Sequence, residues 1–242
     1  MGNMRRRNQG DARPYRRACL IMGAAVGVTG VTFGVFADAA GLDLPRIVAM
    51  SALMFTGASQ FAAVGVISDG GTGTAAIGPA LLLAARNTLY GPVVRRVLPD
   101  STLVRLGAAH FVVDETTAMA AAQAERRDAT GAFWLTAATL WLCWNLGSIA
   151  GAMLGPVMGT AEVWGLDAAF PAIFVAMVAT HLRSAAGRIA AAAAAAIALG
   201  AVPFSAPGIP ILLSVLALPI ALYVGTRRER SAGHGNGSEA SP

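Results

Sequence analysis

The residues of this chain that are capable of chemistry form three short polar clusters, each inside a long apolar stretch. In the first cluster, Thr56, Ser59 and Gln60 have the spacing i, i+3 and i+4, which places them on one face of a helix. Gly57 allows that helix to unwind, or allows a ligand to approach its backbone. The pattern predicts a polar substrate-binding stripe. The alternative is hydrogen bonding between packed helices.

The second cluster places a cation within an apolar stretch. Arg86 and Tyr90 are predicted to share a helical face at i, i+4, and Asn87 follows the arginine. An arginine deep in a bilayer costs about 3 kcal/mol or more, so it requires an anion or a water-filled cavity. We therefore predict that these three residues bind substrate. An ion pair with Asp114 or Glu115 is the structural alternative, and the two interpretations are compatible.

The third cluster contains His110, Asp114 and Glu115. The spacing i, i+4 predicts His110 and Asp114 on one helical face, and Thr117 continues the face of Asp114. Adjacent carboxylates in a low-dielectric setting retain protons more readily, which suits proton coupling or the binding of an amine. The alternative is an amphipathic segment whose acids contact water. A metal site is not predicted, because no third ligand has a convincing spacing.

Composition places these clusters in a membrane protein. Of the 242 residues, 55% are hydrophobic and only 13% are charged, whereas soluble domains carry about 25% charged residues. The sequence pI is near 10.2, but arginines are concentrated before the first apolar stretch and after the last. This distribution is typical of the positive-inside rule, so it predicts cytoplasmic N- and C-termini. It argues against nucleic-acid binding, because no soluble basic face is present.

A helix needs about 20 residues to cross a bilayer. Eight apolar stretches reach this length or nearly reach it. They are 18–37, 46–67, 74–94, 102–122, 130–158, 167–182, 187–202 and 208–225. Unpaired backbone is not tolerated in lipid, so each stretch is predicted to be helical. The predicted fold is an all-α, polytopic transmembrane bundle of six to eight spans, with broken or re-entrant helices. The domain boundaries are a basic segment 1–17, a transmembrane domain 18–226 and a disordered tail 227–242.

The number of spans depends on the third and fourth apolar stretches. Cytoplasmic termini require an even number, and eight full spans would place Arg95 and Arg96 outside. If neither the third nor the fourth stretch crosses, the two arginines lie inside and the number stays even. The sequence leaves both topologies open.

An internal repeat is suggested by two glycine motifs. Gly30-x-x-x-Gly34 precedes Gly41-Leu42-Asp43, and Gly147-x-x-x-Gly151 precedes Gly165-Leu166-Asp167. Two related halves of about four helices are a common design of secondary transporters, with the substrate site between them. The alternative is that both motifs only allow close helix packing.

Together the three clusters complement a small zwitterion with an apolar side chain. A substrate carboxylate would meet Arg86, and an ammonium group would meet Asp114 or Glu115. Aromatic residues are available for the apolar part, namely Phe33, Phe55 and Phe61. Because no G-x-x-x-x-G-K-[ST] motif is present, the chain is not expected to use ATP directly, and no cofactor is predicted.

Four motifs in a fixed order resemble a known family. They are G-V-T-F-G at 30–34, F-T-G-A-S-Q-F at 55–61, A-R-N-T-L-Y-G at 85–91 and V-D-E-T-T-A at 113–118. In this order they resemble the AzlC-like family, the large subunits of branched-chain amino acid exporters, over about residues 18–225. The resemblance implies export of leucine, isoleucine or valine across the bacterial inner membrane. It also implies a small four-helix partner of the AzlD type and coupling to the proton motive force.

The chain departs from the family pattern at one position. Members of the family usually have Arg-His where this sequence has Arg86-Asn87. If that histidine moves protons, coupling in this chain differs or depends on His110.

The sequence also admits three further functions. They are a transporter of another small zwitterion, a membrane enzyme that uses His110, Asp114 and Glu115, and a scaffolding subunit that folds a partner. An enzyme would require an activated nucleophile or a metal at the same depth, and the sequence indicates neither. A buried Arg86 argues against pure scaffolding. Export of apolar amino acids is therefore the leading hypothesis.

Overall fold

A computed structural model describes residues 15–158 and 172–223, apart from 173, 177 and 180. These residues form helices and connecting segments, with no strand among them, as the all-α prediction required. Most of the basic segment 1–17, the tail 227–242 and the second repeat element at Gly165-Leu166-Asp167 lie outside the described residues. The chain divides into a first unit, residues 1–60 and 83–164, and a second unit, residues 61–82 and 165–242.

The first unit contains two long helices and several short ones. The long helices are α1 (Tyr15–Ala39) and α8 (Arg126–Met158). The short helices between them are α2 (Leu44–Leu53), the start of α3 (Gly57–Ser68), the end of α4 (Gly73–Ala85), α5 (Gly91–Val97), α6 (Thr102–Ala109) and α7 (Asp114–Ala121). A 3₁₀ turn, Arg86–Tyr90, joins α4 to α5.

Three helices in the described part of the chain are long and apolar enough to cross a membrane. They are Tyr15–Ala39, Arg126–Val157 and Ala185–Phe204. The other apolar helices in the described ranges are shorter than the roughly 20 residues that a span requires. All three predicted polar clusters lie on these short helices or between them. The total of six to eight spans stays a prediction.

Helices α1 and α8 pack side by side and run in the same direction. Near their N-terminal ends, the hydroxyl of Thr136 donates a hydrogen bond to the Cys19 sulfur, with 3.1 Å between the two atoms. Near their C-terminal ends, Gly155 lies against the side chain of Asp38. Each helix therefore begins on the same side of the membrane.

The interface between α1 and α8 depends on glycine. A Cβ added at Gly30 would lie 2.8 Å from the carbonyl oxygen of Trp144, and one added at Gly34 would collide with the carbonyl of Ser148. In return, a Cβ at Gly151 would collide with the carbonyl of Val31. The two G-x-x-x-G motifs thus lie against each other, which supports the packing interpretation. The internal repeat stays a prediction.

Glycine, aspartate and serine mark helix ends in the first unit. Between α1 and α2, Gly41 has a φ of +82° and Asp43 caps α2 by accepting a hydrogen bond from the backbone of Arg46 at 3.1 Å. Ser101 occupies the N-cap position of α6, although its side chain makes no capping hydrogen bond.

The stretch 102–122 begins and ends beside the start of α8. Arg126, the first residue of α8, donates a hydrogen bond to the carbonyl of Leu98 at 2.6 Å, and Thr130 donates one to Val97 at 2.7 Å. The segment before α6 therefore lies level with the start of α8. Helices α6 and α7 have eight residues each, about 12 Å at 1.5 Å per residue, so the chain enters and returns on the same side.

This geometry also locates Arg95 and Arg96 relative to the two long helices. Both arginines lie in the last turn of α5, immediately before Leu98. They are therefore on the same side of the membrane as the N-terminal ends of α1 and α8, where Arg126 also lies. For the stretch 102–122, the structure favours the re-entrant topology over a full span.

The second unit contains the rest of α3 and α4 together with α9 (Ala185–Ala201) and α10 (Ile209–Leu213). Ser184 caps α9 through a 2.9 Å hydrogen bond from the backbone of Gly187 to its hydroxyl. Gly208 precedes α10 with a φ of +90°, a conformation that favours glycine. Of the residues predicted to contact substrate or to carry protons, this unit contains only Phe61.

Substitution of Gly34 tests the interface between α1 and α8. Gly34→Ala should destabilise the protein by about 1–3 kcal/mol, because the methyl group would meet backbone that cannot rotate away. Gly200→Ala in α9 is the matched control, since nothing lies within 4 Å of a Cβ there. The measurement is the thermal unfolding midpoint in detergent. Equal midpoints for the two variants would contradict the proposed packing.

Candidate functional site

Helix α2 ends inside the first unit, and side chains donate hydrogen bonds to the carbonyls of its last turn. The residues Met54–Thr56 separate α2 from α3, so the apolar stretch 46–67 is a broken helix. Gln60 in the first turn of α3 donates a hydrogen bond from Nε2 to the carbonyl of Met50 at 2.8 Å. A continuous helix would separate residues 50 and 60 by about 15 Å, so the chain bends sharply at this break.

The carbonyl of Ala52, in the last turn of α2, receives two further donors. His110 Nε2 lies 3.0 Å from this oxygen and Trp141 Nε1 lies 3.4 Å from it. Because a carbonyl oxygen only accepts hydrogen bonds, Nε2 of His110 carries a proton in this arrangement. A residue of the third predicted cluster therefore stabilises the break in the first.

Trp144 of α8 fixes the other end of the Gln60 amide. Its indole Nε1 donates a hydrogen bond to Gln60 Oε1 at 2.8 Å, and both side chains are buried. Gly57 lies against the same indole, since a Cβ there would be 3.0 Å from Cη2. The indoles of Trp141 and Trp144 thus support the first break, and neither is among the site residues predicted from the sequence. Their spacing of i, i+3 beside the polar Asn145 was the available signal.

The prediction of one polar helical face for the first cluster was wrong in part. Thr56 precedes α3 rather than belonging to it, while Ser59 and Gln60 lie in its first turn. Ser59 is fully buried, and its hydroxyl has no hydrogen-bond partner within the described residues. Gln60, in contrast, has both ends of its amide satisfied by protein, which makes it a structural residue in this conformation.

A second break follows α4, which continues through Pro79 as far as Ala85. The residues Arg86–Tyr90 form a 3₁₀ turn rather than the α-helix that was assumed for the i, i+4 pairing of Arg86 and Tyr90. Thr88 stabilises the turn by donating a hydrogen bond to the carbonyl of Ala85 at 2.6 Å. Although the helical premise was wrong, both predicted side chains approach the same carboxylate.

That carboxylate belongs to Asp114. Arg86 Nη1 lies 3.2 Å from Asp114 Oδ2, and the phenol of Tyr90 lies near the same carboxylate. The two charged side chains are 36% and 39% exposed, so the pair is accessible rather than sealed in the core. The predicted ion pair between Arg86 and an acid of the third cluster is confirmed.

The third break lies between α6 and α7. Helix α6 ends at Ala109 and α7 begins at Asp114, so the predicted common helical face of His110 and Asp114 was wrong. Thr116 holds the break by donating a hydrogen bond to the carbonyl of Phe111 at 2.7 Å. Asp114 and the half-buried Glu115 occupy the first turn of α7, where a helix favours negative charge.

The first and the second break each contact the third. Phe55 in the first break stacks on His110 in the third, with 6.0 Å between ring centroids, and meets Phe111 edge-on at 5.8 Å. The second break reaches the third through Arg86 and Asp114. We call these contacting segments, Met54–Thr56, Arg86–Tyr90 and His110–Glu115, the break junction.

Four polar atoms at the break junction, or next to it in sequence, have unused hydrogen-bonding capacity. They are Nε of Arg86, Oδ1 of Asn87, Oδ1 of Asp114 and the hydroxyl of Thr117. Each is shielded from solvent and has no hydrogen-bond partner in the described part of the chain. Buried polar groups of this kind are normally satisfied. The break junction therefore provides a cation, a carboxylate, an amide and a hydroxyl that are able to bind a polar ligand.

Of the three aromatic residues predicted to contact the apolar side chain of a substrate, one lies in the break junction. Phe55 lies in the break junction, whereas Phe33 is fully buried and stacks on Trp144 with 5.7 Å between centroids. Phe61 belongs to the second unit. Of the residues described, no group of three His, Cys, Asp or Glu side chains is arranged to hold a metal ion.

Comparison with known families agrees with the motifs at the break junction. A family model with the description AzlC protein matches residues 22–158, more than half of the chain. The chain belongs to the AzlC family. No significant match was found among curated proteins or among solved structures. The match covers α1 to α8 and all ten predicted site residues, and the AzlC family is one of membrane transporters.

Substitution of Gln60 tests the support of the first break. Gln60→Leu should lower the free energy of unfolding by about 2–4 kcal/mol, because the Met50 carbonyl and the Trp144 indole each lose a buried partner. Ser59→Ala is the matched control, since its hydroxyl has no partner among the described residues. The measurement is unfolding in detergent. Similar stability of the two variants would argue against this support.

Proposed function

We propose that this member of the AzlC family exports branched-chain or similar apolar amino acids. The observation that carries the proposal is the accessible ion pair of Arg86 and Asp114 within the break junction. Charged side chains at this depth are costly. They are expected where they bind a charged substrate, and broken helices are the common setting for such sites in transporters.

The ion pair is complementary to the two charged groups of an amino acid. The guanidinium of Arg86 presents several donors, and its Nε is unused by protein, so it is able to hold a carboxylate with two hydrogen bonds. The free Oδ1 of Asp114 is able to accept from an ammonium group. When a zwitterion enters between them, each protein charge exchanges one partner for another. Neither charge is left buried alone, which limits the cost of opening the pair.

Selection for an apolar side chain would come from the aromatic wall of the junction. Phe55 is 8% exposed and packs against Phe111. Burying one additional methylene on such a surface contributes about 0.8 kcal/mol. The charged groups recognise any amino acid, so the aromatic wall would determine the preference for leucine, isoleucine or valine over smaller or polar substrates. Another small apolar zwitterion is the alternative substrate.

Proton coupling is assigned to the acids of α7 and to His110. Glu115 interacts electrostatically with both Asp114 and Arg86, so a proton on Glu115 would alter the charge balance of the substrate site. His110 already donates from Nε2 to Ala52, which leaves Nδ1 for proton exchange. This arrangement is a route for protons in a chain that has Asn87 where the family usually has histidine.

The remaining parts of the proposal follow from the family and from charge. A small four-helix subunit of the AzlD type is the proposed partner. By the positive-inside rule, the arginines at the N-terminal ends of α1 and α8 would lie in the cytoplasm of a bacterial cell. We propose that both termini are cytoplasmic and that the protein lies in the inner membrane. The enzyme hypothesis gains no support, because His110 and the Asp114 carboxylate belong to separate hydrogen-bonding groups.

Efflux from cells tests the function. Cells loaded with leucine- or valine-containing dipeptides should release the free amino acid faster when the chain and its small partner are co-expressed. A protonophore should suppress the difference. If the complex is present in the membrane and efflux is unchanged, the assignment of apolar amino acids is wrong.

Arg86→Ala should abolish efflux and leave membrane insertion intact, because the substrate carboxylate loses its donor. Arg46→Ala is the matched control: Arg46 also pairs with an aspartate, Asp43, but the two side chains are 71% and 56% exposed at the start of α2. Initial efflux rates, normalised to protein in the membrane, provide the measurement. Full activity of Arg86→Ala would exclude the proposed carboxylate site.

Glu115→Gln should flatten the pH dependence of efflux, since a glutamine cannot exchange a proton. Glu125→Gln is the control, because Glu125 is exposed before α8. Efflux rates measured across external pH provide the comparison. An unchanged profile in Glu115→Gln would remove this residue from proton coupling.

A further inference from the structure

A second charged cavity in the first unit is separate from the break junction. It has a volume of about 730 Å³ and is open to the surface. Four arginine side chains and one carboxylate line it, together with Gly91 and Pro92 at the start of α5. The charged residues are Arg95, Arg96, Asp100, Arg105 and Arg126.

Only one of the four arginines in this cavity has a carboxylate partner among the residues described. Asp100 forms an ion pair with Arg105. In the described part of the chain, Arg95 and Arg96 make no ion pair or side-chain hydrogen bond, and Arg126 donates only to the carbonyl of Leu98. The cavity therefore has a net charge of three positive units. Arg105 also has a buried Nε with no hydrogen-bond partner within the described ranges.

The position of this arginine cavity indicates where an anion would come from. It lies at the membrane end at which α1 and α8 begin, because Arg126 is the first residue of α8. Beside it on α6, Leu103 and Leu106 are 82% and 67% exposed and lie on one face at i, i+3. A cationic cavity next to an exposed apolar face matches a phospholipid, with its phosphate at the arginines and its acyl chains on the leucines.

We propose that the arginine cavity binds a phosphate group, supplied by an anionic phospholipid of the surrounding leaflet. Guanidinium groups hold phosphate oxygens with paired hydrogen bonds. The lining of this cavity includes no residue of the break junction. Its occupation would fix the ends of α5, α6 and α8, whose contacts support the re-entrant hairpin.

Lipid binding to the purified full-length chain tests this proposal. The variant is the double substitution Arg95→Gln and Arg96→Gln, because neither side chain makes an ion pair or a hydrogen bond with the other described residues. The control is the double substitution Arg16→Gln and Arg17→Gln, which removes the same charge from the exposed start of α1. Native mass spectrometry in detergent would measure binding of phosphatidylglycerol and phosphatidylcholine, and competition by inorganic phosphate.

We expect the wild-type chain and the Arg16/Arg17 control to bind phosphatidylglycerol more tightly than phosphatidylcholine. The Arg95/Arg96 variant should bind phosphatidylglycerol roughly 30-fold more weakly than the control. If inorganic phosphate binds with the same dependence on these arginines and the lipid does not, the phosphate site stands and its source is soluble. Equal binding of phosphatidylglycerol and of phosphate by both double variants would overturn the proposal.

Discussion

The structure depends on one constraint: backbone groups exposed by a broken helix in an apolar environment must find partners within the protein. Three breaks of this kind meet in the first unit, and each is held by a polar side chain. Gln60 and His110 satisfy the end of α2, while Thr88 and Thr116 satisfy the other two breaks. The same constraint explains why polar residues occur inside apolar sequence. Most of them support the backbone, and the charged pair of Arg86 and Asp114 is what remains for a ligand.

The long helices make the broken ones possible. Because α1 and α8 approach through glycines, α8 is fixed with Trp141 and Trp144 directed at the first break. Both indoles donate to groups that a lipid-facing helix could not satisfy. The close contact between α1 and α8 therefore supports the polar site. A substitution at Gly34 is expected to disturb the hydrogen bonds of Gln60.

The sequence predicted the chemistry of the site better than its geometry. The contact between Arg86 and Asp114 followed from the cost of a charge within apolar sequence, which is independent of local conformation. The helical faces that assigned partners to His110 and Tyr90 were wrong, because periodicity assumes an unbroken α-helix and these residues lie in breaks. No periodic pattern indicated that 102–122 turns back on itself. That geometry depends on contacts such as Arg126 with Leu98, which are distant in sequence.

The most direct test of the central claim is equilibrium binding of leucine and of leucine amide, which lacks the carboxylate, to the purified protein. If Arg86 holds the substrate carboxylate, the wild-type protein should prefer leucine by roughly 10- to 100-fold. The Arg86→Ala variant should bind both compounds with equal, weak affinity while retaining its fold. An unchanged preference for leucine in that variant would contradict the account, because the carboxylate would then be recognised elsewhere in the protein.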